Sequence, residues 1–125
     1  MSKVRIGIIG SRFQADCIAA AVKAMPEEGE VVAVASPTKV HATDFAKRHG
    51  IPRAYTDYRD LLRDPEVELI SITVPNRLHA QMTIDAARAG KHVVCEKPLG
   101  MTAKETAKVV AAVKKKGAPV FAVNS

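Results

Sequence analysis

Apolar residues along this chain fall into two alternating textures: short unbroken runs, and longer stretches in which they recur every third or fourth position. Residues 4–9 form a β-branched run that stops at Gly10, and residues 13–25 then carry Ala15, Ile18, Ala19, Val22 and Met25 at helical spacing. A second buried strand is predicted over 31–35, followed by Ser36-Pro37-Thr38 and a helix over about 40–49 that Gly50 stops. Tyr55 marks a short third strand, after which Asp57 can cap a helix that includes Leu61 and Leu62 and ends before Pro65. Residues 69–74 give the clearest strand, and Pro75-Asn76 breaks it. The pattern then predicts a helix over about 79–89 stopped by Gly90, and a strand over 93–95. Thr102 caps a last helix over about 104–116, with Val109, Val110 and Val113 on its apolar face, and a final strand follows over 119–123.

This alternation predicts an α/β domain of the Rossmann-type, doubly wound kind. Continuous apolar strands are buried on both faces, and parallel strands need crossover helices to return the chain to the same edge. In such sheets ligands bind beyond the carboxyl ends of the strands. The informative residues are therefore Gly10 to Gln14, Ser36 to Lys39, Thr73 to Asn76, Glu96 to Pro98, and Asn124.

Composition narrows the class further. A chain of 125 residues with 47% hydrophobic and 26% charged residues makes one ordinary globular domain. The formal net charge of +6 suits an anionic partner, yet only Lys114-Lys115-Lys116 forms a run, and cations at a helix end complement its dipole. With no Trp, three Phe and two Tyr, there is no aromatic-basic interleaving to stack bases, so nucleic acid is not an expected partner. Cys17 and Cys95 stand far apart, without the spacing of a zinc site or a disulfide framework, which fits a reducing, cytoplasmic setting with no bound metal. The first residues make too short an apolar run for a signal peptide, and no stretch approaches membrane-spanning length.

The first strand–helix junction, Gly7-Ile8-Ile9-Gly10-Ser11-Arg12-Phe13-Gln14-Ala15, is a degenerate dinucleotide turn if Gly10 is its first glycine. Arg12 replaces the second glycine and Ala15 the third. Ala15 suits helix–strand packing, whereas Arg12 puts a side chain where backbone should approach a pyrophosphate. The stretch reads equally as an ordinary connection. Even so, a helix N-terminus offers N–H groups to an anion, and a guanidinium there can pair with phosphate. The second strand ends in Ser36 rather than in the carboxylate that binds a ribose 2′-OH and repels a 2′-phosphate. With Thr38 and Lys39 just beyond and no acid before Asp44, that end favours NADP over NAD, although Ser36, Pro37 and Thr38 also suit a turn and a helix cap.

Thr73-Val74-Pro75-Asn76-Arg77-Leu78-His79 and Gly90-Lys91-His92-Val93-Val94-Cys95-Glu96-Lys97-Pro98-Leu99 together resemble the signature segments of the Gfo/Idh/MocA oxidoreductases, the glucose-fructose oxidoreductase and inositol dehydrogenase family. The resemblance covers essentially the whole chain as the N-terminal domain of that family. It implies a Rossmann domain that binds NAD or NADP, followed by a substrate and oligomerisation domain absent from these residues. It implies hydride transfer between the nicotinamide and a secondary alcohol or ketone of a sugar or polyol. By the same resemblance Lys97 is the catalytic residue, beside the nicotinamide and the reacting oxygen. Glu96 neighbours it at the nicotinamide ribose, and Pro98 follows a cis peptide. Pro75 and Asn76 border the ribose and nicotinamide, while Thr73 and Val74 line the cofactor's path. His79 reads equally as a site residue and as a structural hydrogen-bonding one, and His41, His49 and His92 read as surface or packing residues. Residue chemistry agrees about Lys97: a lysine at a strand's carboxyl end, partly desolvated, can serve as acid or base.

Arg12, Ser36 and Ile18 depart from the family pattern, the first two at the cofactor site and the third where many relatives carry histidine. The chain also stops where relatives continue, so these residues alone are expected to bind cofactor and to turn over poorly, with homo-oligomers forming only through the missing domain. A non-catalytic sensor or transcriptional co-regulator of the same fold is the alternative, and the retained Glu96-Lys97-Pro98 argues against it. A domain binding another nucleotide or phosphate through Arg12 and Lys39 is a third reading.

Overall fold

The computed structural model describes residues 3–74, 78–96 and 121–124. Strands and helices alternate as β1 (Val4–Ile9), α1 (Phe13–Lys23), β2 (Gly29–Ala35), α2 (Lys39–His49), β3 (Arg53–Tyr55), α3 (Tyr58–Leu62), β4 (Leu69–Ile72), α4 (His79–Arg88), β5 (His92–Glu96) and β6 (Phe121–Asn124). The six strands lie in the order β3-β2-β1-β4-β5-β6, and every neighbouring pair is parallel. This is the doubly wound Rossmann order, which reverses direction between β1 and β4.

Alternation along β1 sorts the core into two layers. Ile6 and Ile8 pack with Ile18 and Val22 of α1 and Phe45 of α2 on one face. Ile9 packs with Leu61, Val67, Ile70 and Met82 on the other, toward α3 and α4. Gly7 points to that second face, where a Cβ would meet Leu61 Cδ2 at 2.8 Å and Val67 Cγ1 at 3.0 Å. Both faces of β1 are thus buried, and this is why its sequence is apolar at nearly every position rather than at every second one.

The elements match their sequence pattern, with boundary differences that have local causes. α1 stops at Lys23 because Met25 precedes Pro26 and is biased out of helical geometry. β4 stops at Ile72 rather than Val74, although the Thr73 N–H still reaches Ile9 O at 2.9 Å. Gly50 and Gly90 end α2 and α4 with φ of 67° and 77°, the left-handed geometry that glycine permits. Asp57 caps α3 as expected, accepting from the Arg59 N–H at 2.9 Å. The cap at Thr102 and the helix over 104–116 lie outside the described residues.

One polar cluster anchors the loop between α3 and β4. The Asp64 carboxylate, 4% exposed, accepts from Arg53 Nε at 2.6 Å, Tyr55 Oη at 2.9 Å and the Glu66 N–H at 2.9 Å. Burial pushes its pKa up, but these donors outweigh burial and hold it below the ordinary carboxylate value. Lys91 Nζ fastens the same loop through the carbonyls of Asp64 (2.9 Å) and Val67 (2.6 Å). A carboxylate depressed in the folded state stabilises fully above its unfolded pKa, and that stability disappears as pH falls through the folded value. Asp64→Asn is therefore expected to cost about 2 kcal/mol at pH 7 and to flatten the loss of stability below about pH 4. Urea unfolding of parent and variant between pH 7 and pH 3 measures both effects, and parallel curves would contradict the assignment.

Candidate functional site

At the reversal of strand order, the carboxyl ends of β1, β2 and β4 are tied together over a very short distance. Gly10 N–H donates to Ala35 O at 2.8 Å, while Ile9 O accepts from both the N–H and the hydroxyl of Thr73 at 2.9 Å. Gly10 has φ of 117°, and a Cβ there would come within 2.2 Å of Thr73 Oγ1. Glycine is required twice over, by backbone conformation and by this contact. Ser36 N–H bonds Tyr55 O at 3.0 Å, which brings the end of β3 into the same rim.

Above these ends lies a cleft of about 540 Å³. Among the residues expected at the cofactor, Gly10, Ser11, Arg12, Ser36, Thr38, Thr73 and Val74 line it. Phe13, Gln14 and Lys39 do not: Phe13 is 69% exposed, and Lys39 stands two positions before His41 on α2, about 200° around the helix from the residue that does face the cleft. Across the cleft floor the hydroxyls of Ser11 and Ser36 lie 3.0 Å apart and share a hydrogen bond. Ser36 is buried, so the end of β2 carries a neutral, inward-turned side chain where a carboxylate was the alternative.

Arg12 does not distort the turn. Its φ of −95° and ψ of −168° are extended backbone open to any residue. As the N-cap of α1 it makes no side-chain capping bond. The turn into α1 lines the cleft through Gly10, Ser11 and Arg12, and Arg12 brings a cation to that lining.

The cleft also draws in residues that sequence reasoning passed over. His41, read above as a surface or packing residue, lines it, as do Thr56, Asp57, Tyr58 and Arg59. Along the chain no acid follows the end of β2 before Asp44, but in space β3, parallel to β2, brings Asp57 into the same cleft lining as Ser36. Asp57 Oδ1 and Oδ2 receive Arg59 Nε and Nη2 at 3.1 and 3.3 Å. Those bonds, with the Arg59 N–H, hold the Asp57 carboxyl below its ordinary value. Spacing could have exposed this pair, since Asp57 already reads as a helix cap. Its neighbourhood follows only from the strand pairing. His49, by contrast, bonds Asp16 at 2.7 Å and packs on Phe45, away from the cleft lining.

Pro75, Asn76, Lys97 and Pro98 lie outside the described residues, as do the side chains of His79 and Glu96. The backbone of Glu96 ends β5, two strands from β1 on the cleft's far side. Among the described residues no cluster of His, Cys, Asp or Glu could hold a metal ion, and no helix is long and apolar enough to cross a membrane.

Residues 4–124 match the family described as the Gfo/Idh/MocA oxidoreductase family, NAD-binding Rossmann fold. The chain belongs to that family. It is 44% identical to an uncharacterized oxidoreductase of Rhizobium meliloti, over 88% of this chain and 33% of that one. It is 36% identical to levoglucosan dehydrogenase of Pseudarthrobacter phenanthrenivorans, over 93% of this chain and 32% of the relative. A solved levoglucosan dehydrogenase in complex with NADH and levoglucosan superposes on 98% of this chain and 35% of its own with a TM-score of 0.75 at 32% identity. Biliverdin reductase of Synechocystis, in complex with biliverdin and NADP+, gives 0.74 at 27% identity, over 98% and 38% of the two chains. The chain thus spans about a third of the length of the curated relatives it matches.

Gly10→Ala tests the geometry of the junction. A left-handed residue with a Cβ costs about 1–2 kcal/mol before the contact with Thr73 is counted. The variant is expected to unfold at a lower temperature by calorimetry and to lose binding of NADH and NADPH together. Parent-like melting with parent-like binding would mean that β1 and β4 can separate at this point without consequence.

Proposed function

We propose that this domain binds a nicotinamide dinucleotide in the cleft, NADP in preference to NAD, and serves hydride transfer to or from a secondary alcohol or ketone of a sugar or polyol. The observation that carries this reading is the Gly10–Thr73 junction beneath an uncapped helix start. It leaves room for a pyrophosphate against backbone, in a chain of an NAD-binding family. The fit is chemical as well as spatial: N–H groups and the Arg12 guanidinium meet phosphate charge, and the Ser11–Ser36 hydroxyls meet the ribose.

The bound dinucleotide supplies the hydride acceptor or donor. Lys97 is assigned the substrate oxygen, which it orients by donating a hydrogen bond and from which it takes, or to which it returns, the proton as the alcohol and ketone interconvert. Glu96 is assigned to that lysine's side of the nicotinamide ribose and Pro98 to the same cofactor site, and Pro75, Asn76 and His79 are assigned the nicotinamide side of the cleft. The kinship with levoglucosan dehydrogenase supports a sugar-type substrate. The NADP preference rests on the neutral end of β2, where Ser36 and Thr38 offer a 2′-phosphate hydrogen bonds and no opposing carboxylate of their own.

Two measurements test the reading. Titration with NADPH and NADH at one salt concentration, followed by reduced-nicotinamide fluorescence, is expected to favour NADPH by about tenfold, or 1.4 kcal/mol. A preference for NADH would overturn the NADP assignment and leave the oxidoreductase reading standing. Lys97→Ala in the whole protein is expected to reduce kcat by about a hundredfold or more with dinucleotide affinity intact. Unchanged turnover would remove Lys97 from the chemistry.

A further inference from the structure

We propose that Arg59, after leaving Asp57, is the cation that receives a phosphate carried on the ribose 2′-oxygen of the dinucleotide. The Asp57–Arg59 pair then acts together with the neutral end of β2 in setting the cofactor preference. This rests on the dinucleotide reading of the cleft and adds to it residues at the carboxyl end of β3 that lie outside the motifs quoted above.

Placement comes first. The pairing of Ala35 with Tyr55, and the 3.0 Å bond from Ser36 N–H to Tyr55 O, set residues 56–59 beside residues 36–38 on one wall of the cleft. The wall's charge has few sources. Ser36 is buried and bonded to Ser11, and Lys39 does not line the cleft. Among the described residues, the lining groups that can carry charge are Arg12, His41, Asp57 and Arg59. Arg12 belongs to the β1 turn at the start of α1, so Asp57, Arg59 and His41 are left for the ribose wall.

Asp57 cannot act there as the usual ribose-binding carboxylate. One of its oxygens caps α3 through the Arg59 N–H, and both oxygens receive the Arg59 guanidinium. Arg59 is the more exposed member of the pair. Its side chain is 64% exposed and that of Asp57 42%, so the pair is held weakly, as surface pairs are. A phosphomonoester brings close to two negative charges and three acceptor oxygens, and it displaces a carboxylate that bears one. The base of the guanidinium stays fixed while its head moves. Tyr58, whose ring centroid lies 5.9 Å from the guanidinium carbon, donates its hydroxyl to Asp85 of α4 and pins the start of α3.

Four proteins titrated with NADPH and NADH at one salt concentration decide the matter: parent, Arg59→Gln, Asp57→Asn and Arg63→Gln. Arg59→Gln is expected to weaken NADPH about tenfold and NADH less than about threefold. Asp57→Asn keeps a capping oxygen, removes the competing charge and is expected to raise the NADPH:NADH affinity ratio. Arg63, paired with Asp60 and absent from the lining of this cleft, reports general loss of positive charge, and its replacement is expected to leave the ratio unchanged. Equal losses for both cofactors in Arg59→Gln, an unchanged ratio, or a matching shift in Arg63→Gln would overturn the proposal. Should Arg59→Gln melt below the parent, the direction of the Asp57→Asn shift decides alone. A parent that binds neither dinucleotide overturns the reading of the cleft and this proposal with it, whereas a binding parent with an unmoved ratio overturns this proposal only.

Discussion

A missing side chain governs the working end of this domain. Because Gly10 has no Cβ, β1 and β4 can converge until the Thr73 hydroxyl reaches the carbonyl of Ile9. Any side chain at position 10 would fall within 2.2 Å of that hydroxyl oxygen and would also hold φ at 117°, where L-residues are strained. The convergence has consequences in both directions. Toward the core, it keeps the β1–β4 register that buries Ile8 on one face and Ile9 and Ile70 on the other. Toward solvent, it turns the chain sharply into α1, whose uncapped start then opens on the crevice between the two halves of the sheet.

The crevice walls follow from the same sheet by a less local route. Parallel strands deliver all their carboxyl ends to one edge, so segments distant in sequence meet there without any long-range recognition of their own. Ser11 and Ser36 are 25 positions apart and share a hydrogen bond, and Asp57 joins them because β3 pairs with β2. Charge at this edge is therefore a property of the strand order. A carboxylate absent from the end of β2 is supplied from the end of β3, already engaged by Arg59 and by its own helix.

Much of this was legible in the sequence, for reasons that particular residues make plain. The unbroken β-branched run of β1 is what burial on both faces demands, and α1 and α2 show their apolar stripes because only one side of each meets the sheet. Gly10, Gly50 and Gly90 mark backbone that must enter positive φ, and the structure uses them so. Asp57 was legible as a cap because capping is a matter of two residues' spacing. Its place in the cleft was not, since that depends on which strand lies next to β2. That His41 lines the cleft and Lys39 does not has a related reason. At a helix start, neighbours in sequence point in very different directions, and only the docked angle of α2 decides which one lines the cleft. Arg12 departs from the glycine rule without backbone strain, because the turn gives it extended geometry open to any residue.

The two ends of the cleft thus rest on constraints of different stiffness. At Gly10 the constraint is steric and shared by the core, so a change there is expected to disturb folding and, on the proposed reading, the binding of either dinucleotide at once. At Asp57 and Arg59 it is electrostatic, exposed and separate from the packed layers, so charge can be rearranged there at little structural cost. Binding and preference are consequently separable properties of one site. On the reading proposed above, the turn after β1 governs the approach of a pyrophosphate and the turn after β3 bears on which ribose follows it. On that reading such a fold can hold its phosphate grip constant while its cofactor choice changes, because the exposed Asp57 and Arg59 carry almost none of the weight of the core.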